Sequence, residues 1–205
     1  MLIVITHPEH LPGEALIWQQ LLSAGADAIL LRKPGWEEND YEQALEQTDP
    51  ACYPQLLIAR HWRLQERYGL MGVHFSESLR NGTAPQLLEV QRRQGCLLST
   101  GIHTASVLPA MAMQWDLLLL SPVFDSISKP GYKGQVSTGF HLQQDTRSGA
   151  ARVLALGGVD QSNAGLAKTM GFDGIALLGA IWKDQDKAVA TFCEIRNSWN
   201  ANAHT

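Results

Sequence analysis

Three cysteines, Cys52, Cys96 and Cys193, are all that 205 residues provide. They are far apart and odd in number, which excludes a disulfide framework and any metal-binding spacing, and fits a reducing cytosol. Charge of one sign is lacking too: 16 Lys+Arg against 20 Asp+Glu leave −4. There is no basic excess to attract nucleic acid and no block of like charge to form a solvated tail. No apolar run approaches the ~20 residues that span a bilayer. The opening stretch Met1-Leu2-Ile3-Val4-Ile5-Thr6 meets His7-Pro8-Glu9-His10 at once, so it is expected to be a strand and not a secretion signal. Linkers and low-complexity segments are missing, so residues 1–205 are expected to form a single domain around one core.

What is present is a recurring pair: a short apolar run, then a longer amphipathic one. The apolar runs cover residues 2–6, 28–31, 55–59, 72–75, 96–102, 117–121, 153–156 and 174–178. Near-continuous apolarity is the mark of parallel strands buried on both faces. Helix-like segments at 13–24, 37–46, 85–94 and 163–170 lie between them, and a last helix is expected over 184–199. Eight strands, mostly followed by helix-length segments, predict a closed (β/α)8 barrel of the TIM type. A doubly wound open sheet is the alternative, but the first turn, His7-Pro8-Glu9-His10, lacks the glycines that let a backbone cradle a pyrophosphate.

Barrel enzymes work at the C-terminal ends of their strands. Late in the chain, Leu156-Gly157-Gly158-Val159 and Leu178-Gly179-Ala180 end successive strands. Small residues there let backbone N–H groups approach an anion, and the loops after strands seven and eight are where barrels bind phosphate; tight turns alone are the plainer alternative. The segment from Ser121 to Gly134 is long for such a loop and carries hydroxyls, two lysines and two glycines. It can close over a phosphorylated ligand, with Lys129 as a point charge and Ser126 and Ser128 as donors, or be ordinary solvated surface. Arg32-Lys33 ends the second strand, as an anion clamp or a surface pair. His74 and His103 end strands, as general acid or base near neutral pH or as hydrogen-bonded structural groups. His61 sits beside Arg60.

Taken in order, these motifs resemble the thiamine phosphate synthase family, which includes the thiazole tautomerases. The likeness runs through Leu31-Arg32-Lys33, Met71-Gly72-Val73-His74-Phe75, Ser121-Pro122-Val123-Phe124-Asp125-Ser126-Ile127-Ser128-Lys129, Ala155-Leu156-Gly157-Gly158-Val159 and Gly171-Phe172-Asp173-Gly174-Ile175-Ala176. The resemblance implies a (β/α)8 barrel and an enzyme of thiamine biosynthesis. Such an enzyme couples hydroxymethylpyrimidine diphosphate to thiazole phosphate and releases pyrophosphate with the help of Mg²⁺. It implies phosphate contacts from Arg32 and Lys129, hydroxyl donors at Ser126 and Ser128, and a thiazole-phosphate turn at Gly157, Gly158, Gly179 and Ala180.

Several positions depart from the family pattern. The Asn-Asp expected after strand three is Ala59-Arg60, and the second metal-binding Asp falls on Leu79. Leu30 stands for a glutamine, Pro34 for a lysine (with Lys33 beside it), and Gly101 for a serine. Both expected Mg²⁺ carboxylates are thus replaced. Glu77 and Asp125 are the acids left at strand ends, and Arg60 can take over part of the metal's charge at the pyrophosphate. A metal-independent thiazole phosphate tautomerase or isomerase using His74, His103 or Glu77 is a second reading, although the tautomerases' histidine after strand six falls on Pro122. A non-catalytic protein that holds a thiamine intermediate is a third. Phosphorylated small molecules are the expected partners, not nucleic acid or membrane. Trp18, Trp62, Trp182 and Trp199 are expected on or near the outer helical layer, serving helix–barrel packing or a homodimer surface.

Overall fold

The computed structural model describes residues 1–125, 140–142 and 151–201. Eight strands close a parallel barrel in chain order: β1 (Leu2–Ile5), β2 (Ala28–Leu31), β3 (Leu56–Ala59), β4 (Gly72–Phe75), β5 (Leu97–Ile102), β6 (Leu117–Leu120), β7 (Arg152–Leu156) and β8 (Gly174–Leu177). Each pairs with the next, and β8 returns to β1 through Leu2↔Ile175. The expected (β/α)8 barrel is therefore the fold. Around it lie α1 (Glu14–Ser23), α2 (Glu38–Glu46), α3 (Trp62–Tyr68), α4 (Glu77–Gly82), α5 (Pro85–Arg93), α6 (Leu108–Met111), α7 (Ala164–Thr169), α8 (Gly179–Trp182) and α9 (Ala188–Ala201). The last helix starts later than expected. Asp184 has an extended backbone (φ −143, ψ 103), so a 3₁₀ turn at Gln185–Lys187 precedes α9.

The strands are apolar throughout because both of their faces are covered. Side chains alternate between them. Ile3, Ile5, Leu30, Leu57, Leu119 and Leu154 belong to the cluster that fills the barrel. Leu2, Val4, Ile29, Leu31, Leu118 and Val153 belong to the layer shared with the helices. Trp18 and Trp199 are buried in that outer layer, and Trp62 and Trp182 pack against it half-buried. The Trp182 indole donates to Ile5 O at 2.7 Å. Trp18 and Trp199 thus serve helix–barrel packing. Among the described residues, no helix is long and apolar enough to cross a membrane, and the three cysteines are free.

The N-terminal end of the barrel repeats one device. Asp27, Asp116 and Asp173 each immediately precede a strand. Their carboxylates accept the N–H of Leu2 (2.6 Å), Leu98 (2.8 Å) and Val153 (2.8 Å) at the start of the strand before. Their own N–H groups donate to the carbonyls of those same residues. Gly174 follows because a Cβ there would lie 1.8 Å from Met1 O. The Gly-Phe-Asp-Gly motif is accordingly a closure of the barrel floor, at the stability face of this fold. Replacing Asp116 by Ala should cost about 1–2 kcal/mol by orphaning the Leu98 N–H, with Asp116→Asn closer to wild type. Urea unfolding checks this, and equal losses in both variants would show that the carboxylate acceptor is not the cause.

Candidate active site

The barrel's alternation decides which side chains reach its C-terminal mouth. Continuing the inward series past β2, β4, β5 and β6 brings Arg32, Ser76, His103 and Ser121 above Leu30, His74, Gly101 and Leu119, with Leu156 and Leu178 at the ends of β7 and β8. These residues line a cavity of about 360 Å³ over the barrel axis, together with Ile5 and Glu77. A second cavity of about 190 Å³ opens beside it at the ends of β2, β3 and β4, lined by Arg32, Lys33, Pro34, Tyr41, Ala59, Arg60, His74 and Ser76. The two share Arg32, His74 and Ser76.

The end of β2 is held by two hydroxyls. Thr6 Oγ1 accepts from the Arg32 N–H at 2.9 Å and donates to Arg32 O at 3.3 Å. Tyr41 does the same for the next peptide, accepting from Lys33 N at 2.8 Å and donating to Lys33 O at 3.1 Å. Burial pushes the Tyr41 hydroxyl's pKa up, against the Lys33 backbone bond and the Arg60 and Arg32 charges. Arg32 and Lys33 then diverge. Arg32 is exposed at the mouth, whereas Lys33 is 1% exposed. The Lys33 ammonium pairs with the buried Glu14 carboxylate and donates to Glu9 O at 2.6 Å. Burial lowers the Lys33 pKa, opposed by the bond to Glu14. Lys33 is therefore committed to clamping the β1–α1 loop and is not a second ligand-binding cation, which corrects the sequence reading.

Arg60 stands at the end of β3 with φ 57, the one positive-φ non-glycine among the described residues. Its N–H donates to His74 O at 3.1 Å, and its Nη2 donates to Trp36 O at 3.0 Å. Among the described residues, the wall of the 190 Å³ cavity thus has two guanidiniums and no aspartate or glutamate.

His74 lies at the base of both cavities, 6% exposed, with Nδ1 2.9 Å from Ser99 Oγ. Burial, and then the Arg32 charge, pushes its pKa down to about 3. A neutral imidazole is therefore what a ligand meets. His103 is exposed at the opposite rim. Its Nδ1 donates to Ser121 O at 3.0 Å, which leaves Nε2 4.0 Å from Glu77 Oε2. Glu77 also lies 3.5 Å from Arg80 Nη2, and Arg80 Nη1 donates to Thr100 Oγ1 and Gly101 O. Tyr41, Ser99 and Arg80 were absent from the sequence-based site. Their partners are 8 to 25 residues away, so no local pattern signals them.

The glycine turns end β7 and β8 side by side. Gly157 (φ 91) and Gly158 (φ 69) are both left-handed, and a Cβ on them would lie 2.9 Å from Pro122 Cα and 2.2 Å from Asp125 O. Val123 and Phe124 donate to Leu156 O and Gly157 O. This turn is therefore required for packing against the segment after β6, whatever it binds. Gly179 and Ala180 open α8, where Ile181 and Trp182 donate back to Leu178 O. The first N–H groups of such a turn have no partner within the helix. Ser126, Ser128 and Lys129 lie outside the described residues.

The fit of a Mg²⁺ ion is poor. Magnesium wants oxygen ligands, usually one or two carboxylates with waters and phosphate. At the expected positions stand Arg60 and Leu79, the latter packed half-buried against the core. Glu77 faces Arg80 and His103. Among the described residues, no three His, Cys, Asp or Glu side chains group to hold a metal.

A family model described as thiamine monophosphate synthase matches residues 2–181. A thiamine-phosphate synthase of Laribacter hongkongensis is 26% identical over 188 residues, 88% of this chain and 85% of that protein. The barrel superimposes on thiamine phosphate pyrophosphorylases from Bacteroides thetaiotaomicron (TM-score 0.74, 21% identity, 100% and 99% coverage) and Pyrococcus furiosus (0.76, 20%, 98% and 96%). At those identities the superpositions speak for the fold alone.

Two outcomes follow from the site. Below pH 6.5 the unfolded chain takes up a proton on His74 that the native chain refuses. His74 thus removes about 1.4 kcal/mol of stability per pH unit as pH falls from about 6.5 towards 3. Urea unfolding of His74→Gln at pH 7, 6 and 5 should show a shallower acid loss; an unchanged slope would place its origin elsewhere. Arg60→Gly should gain about 0.5–1 kcal/mol, the left-handed penalty less glycine's own chain entropy. A loss of stability in the same measurement would show that the Arg60–Trp36 bond outweighs the strain.

Proposed function

Because the chain belongs to the thiamine monophosphate synthase family, we propose that it couples hydroxymethylpyrimidine diphosphate to thiazole phosphate. The observation that carries this is the joined pair of cavities, one walled by Arg32 and Arg60, the other lined by Leu30, Leu119, Leu156 and Leu178. A diphosphate suits the first, because guanidiniums offer fixed forks of N–H donors to phosphate oxygens. A flat heterocycle suits the second. The pyrimidine carbinol C–O bond breaks with its electrons leaving on pyrophosphate, and the thiazole nitrogen forms the new C–N bond. No proton has to move at the reacting carbon.

In this reading Arg32 stabilises the charge growing on the departing pyrophosphate, with Arg60 beside it. His74, held neutral, orients the pyrimidine without adding charge near its developing cation. The turns at Gly157-Gly158 and Gly179-Ala180 receive the thiazole phosphate, with Ser126, Ser128 and Lys129 joining them from the segment after β6. Mg²⁺ is assigned no step, since the residues at the expected positions do not suit it. Cytosolic placement belongs to the same reading, supported by the three free cysteines.

The test supplies both phosphorylated precursors and follows thiamine phosphate and pyrophosphate. Formation of both, with Arg32→Ala slower by about 10²–10³-fold, is the expected result. No thiamine phosphate, in EDTA or with Mg²⁺ or Mn²⁺, would sink the proposal. Isomerisation of thiazole phosphate in its place would point instead to Glu77 and His103 as a proton shuttle.

A further inference from the structure

We infer that this chain binds and releases its diphosphate without a divalent cation, Arg60 and Arg32 providing the counter-charge. The inference rests on the reaction proposed above. It starts from the wall of the 190 Å³ cavity, which among the described residues presents two guanidiniums and no carboxylate. Two guanidiniums carry the same +2 as one magnesium ion, but they present N–H donors where the ion needs oxygen ligands. A cation entering this cavity is repelled by its wall, whereas a diphosphate is attracted.

Both charges act inside the cavity. The Arg32 charge disfavours protonation of His74 at its base, and the Arg32 and Arg60 charges both oppose the upward shift that burial imposes on Tyr41 at its side. The backbone of Arg32 is held, and Arg60 is held through both backbone and side chain. Thr6 holds the Arg32 backbone from both sides. Arg60 is anchored by its N–H to His74 O and its Nη2 to Trp36 O. Arg60 further occupies a left-handed backbone position that glycine would fill without strain. Backbone strain of this kind persists where surrounding structure enforces it and collects at ligand-binding sites. Of the acids around the mouth, Glu77 faces Arg80 and His103, Glu14 faces Lys33 and Glu38 faces His61.

The step is balanced without a metal. The C–O bond to the diphosphate breaks and its electron pair leaves on the pyrophosphate oxygen, against the two guanidiniums. The thiazole nitrogen supplies the pair for the C–N bond and becomes the cationic ring nitrogen of the product.

Isothermal titration of the full chain with inorganic pyrophosphate in EDTA tests this directly. We expect binding in EDTA and less than about a threefold change in Kd with millimolar Mg²⁺. Arg60→Asn, whose side chain tolerates the left-handed backbone, should weaken binding by at least about tenfold, and Arg60→Lys by less. Thermal melting confirms that each variant is folded. Pyrophosphate binding that appears only with Mg²⁺, or a folded Arg60→Asn that binds like wild type, overturns the inference. Coupling assays separate it from the reaction itself. Thiamine phosphate formed at the full rate in EDTA supports it, and product formed only with Mg²⁺ overturns it while the reaction stands. No product in either condition, with Arg60-dependent pyrophosphate binding in EDTA, removes the reaction and leaves the metal-free diphosphate site.

Discussion

Strict alternation of side chains in a closed parallel barrel is the constraint on which the rest of this molecule depends. Every second residue must face the axis, and eight four- to six-residue strands supply too little backbone to relax the rule. The interior is therefore filled by Ile3, Ile5, Leu30, Leu57, Leu119 and Leu154. One residue pair breaks the apolar series near the top, His74 against Ser99, and it is hydrogen-bonded, as a buried polar pair must be. The mouth is what the same series becomes once the ladder hydrogen bonds stop.

The charges around that mouth are divided. On the β1–α1 side, Lys33 and Glu14 cancel each other in the interior, an arrangement in which removing either partner would strand a buried charge. On the β4–β5 side, Glu77, Arg80 and His103 face one another. Between them, at the ends of β2 and β3, cations line a cavity with no acid among the described residues of its wall. The field that remains is thus local, although the whole chain carries a net −4.

Much of this was legible in the sequence. Continuous apolar runs mark strands covered on both faces, and the observed strands fall within a residue or so of them. Strand ends then nominate Arg32, Arg60, His74 and His103, all of which line one or both cavities. What the sequence hid is long-range. Arg32 and Lys33 are neighbours with the same charge, and nothing local says that one meets solvent while the other meets Glu14 nineteen residues earlier. Depth was hidden as well: His74 and His103 both end strands, yet one is buried and the other exposed. The glycines of Gly157-Gly158 were read for the space they leave an anion. The structure adds that neighbouring backbone at Pro122 and Asp125 already occupies the space a side chain would need.

The aspartates at the opposite end of the barrel bear on all of this from a distance. Asp27, Asp116 and Asp173 each grip both backbone groups of the first or second residue of the preceding strand. Such a grip works like a start codon. It sets the phase in which a strand is read, and a phase error of one residue would exchange the two faces of the strand. Beginning from Asp116, the inward residues of β6 are Leu117 and Leu119, and Ser121 follows at the rim. The chemistry at the mouth is thus kept in frame by carboxylates at the far end of the barrel, none of which lines either cavity at the mouth.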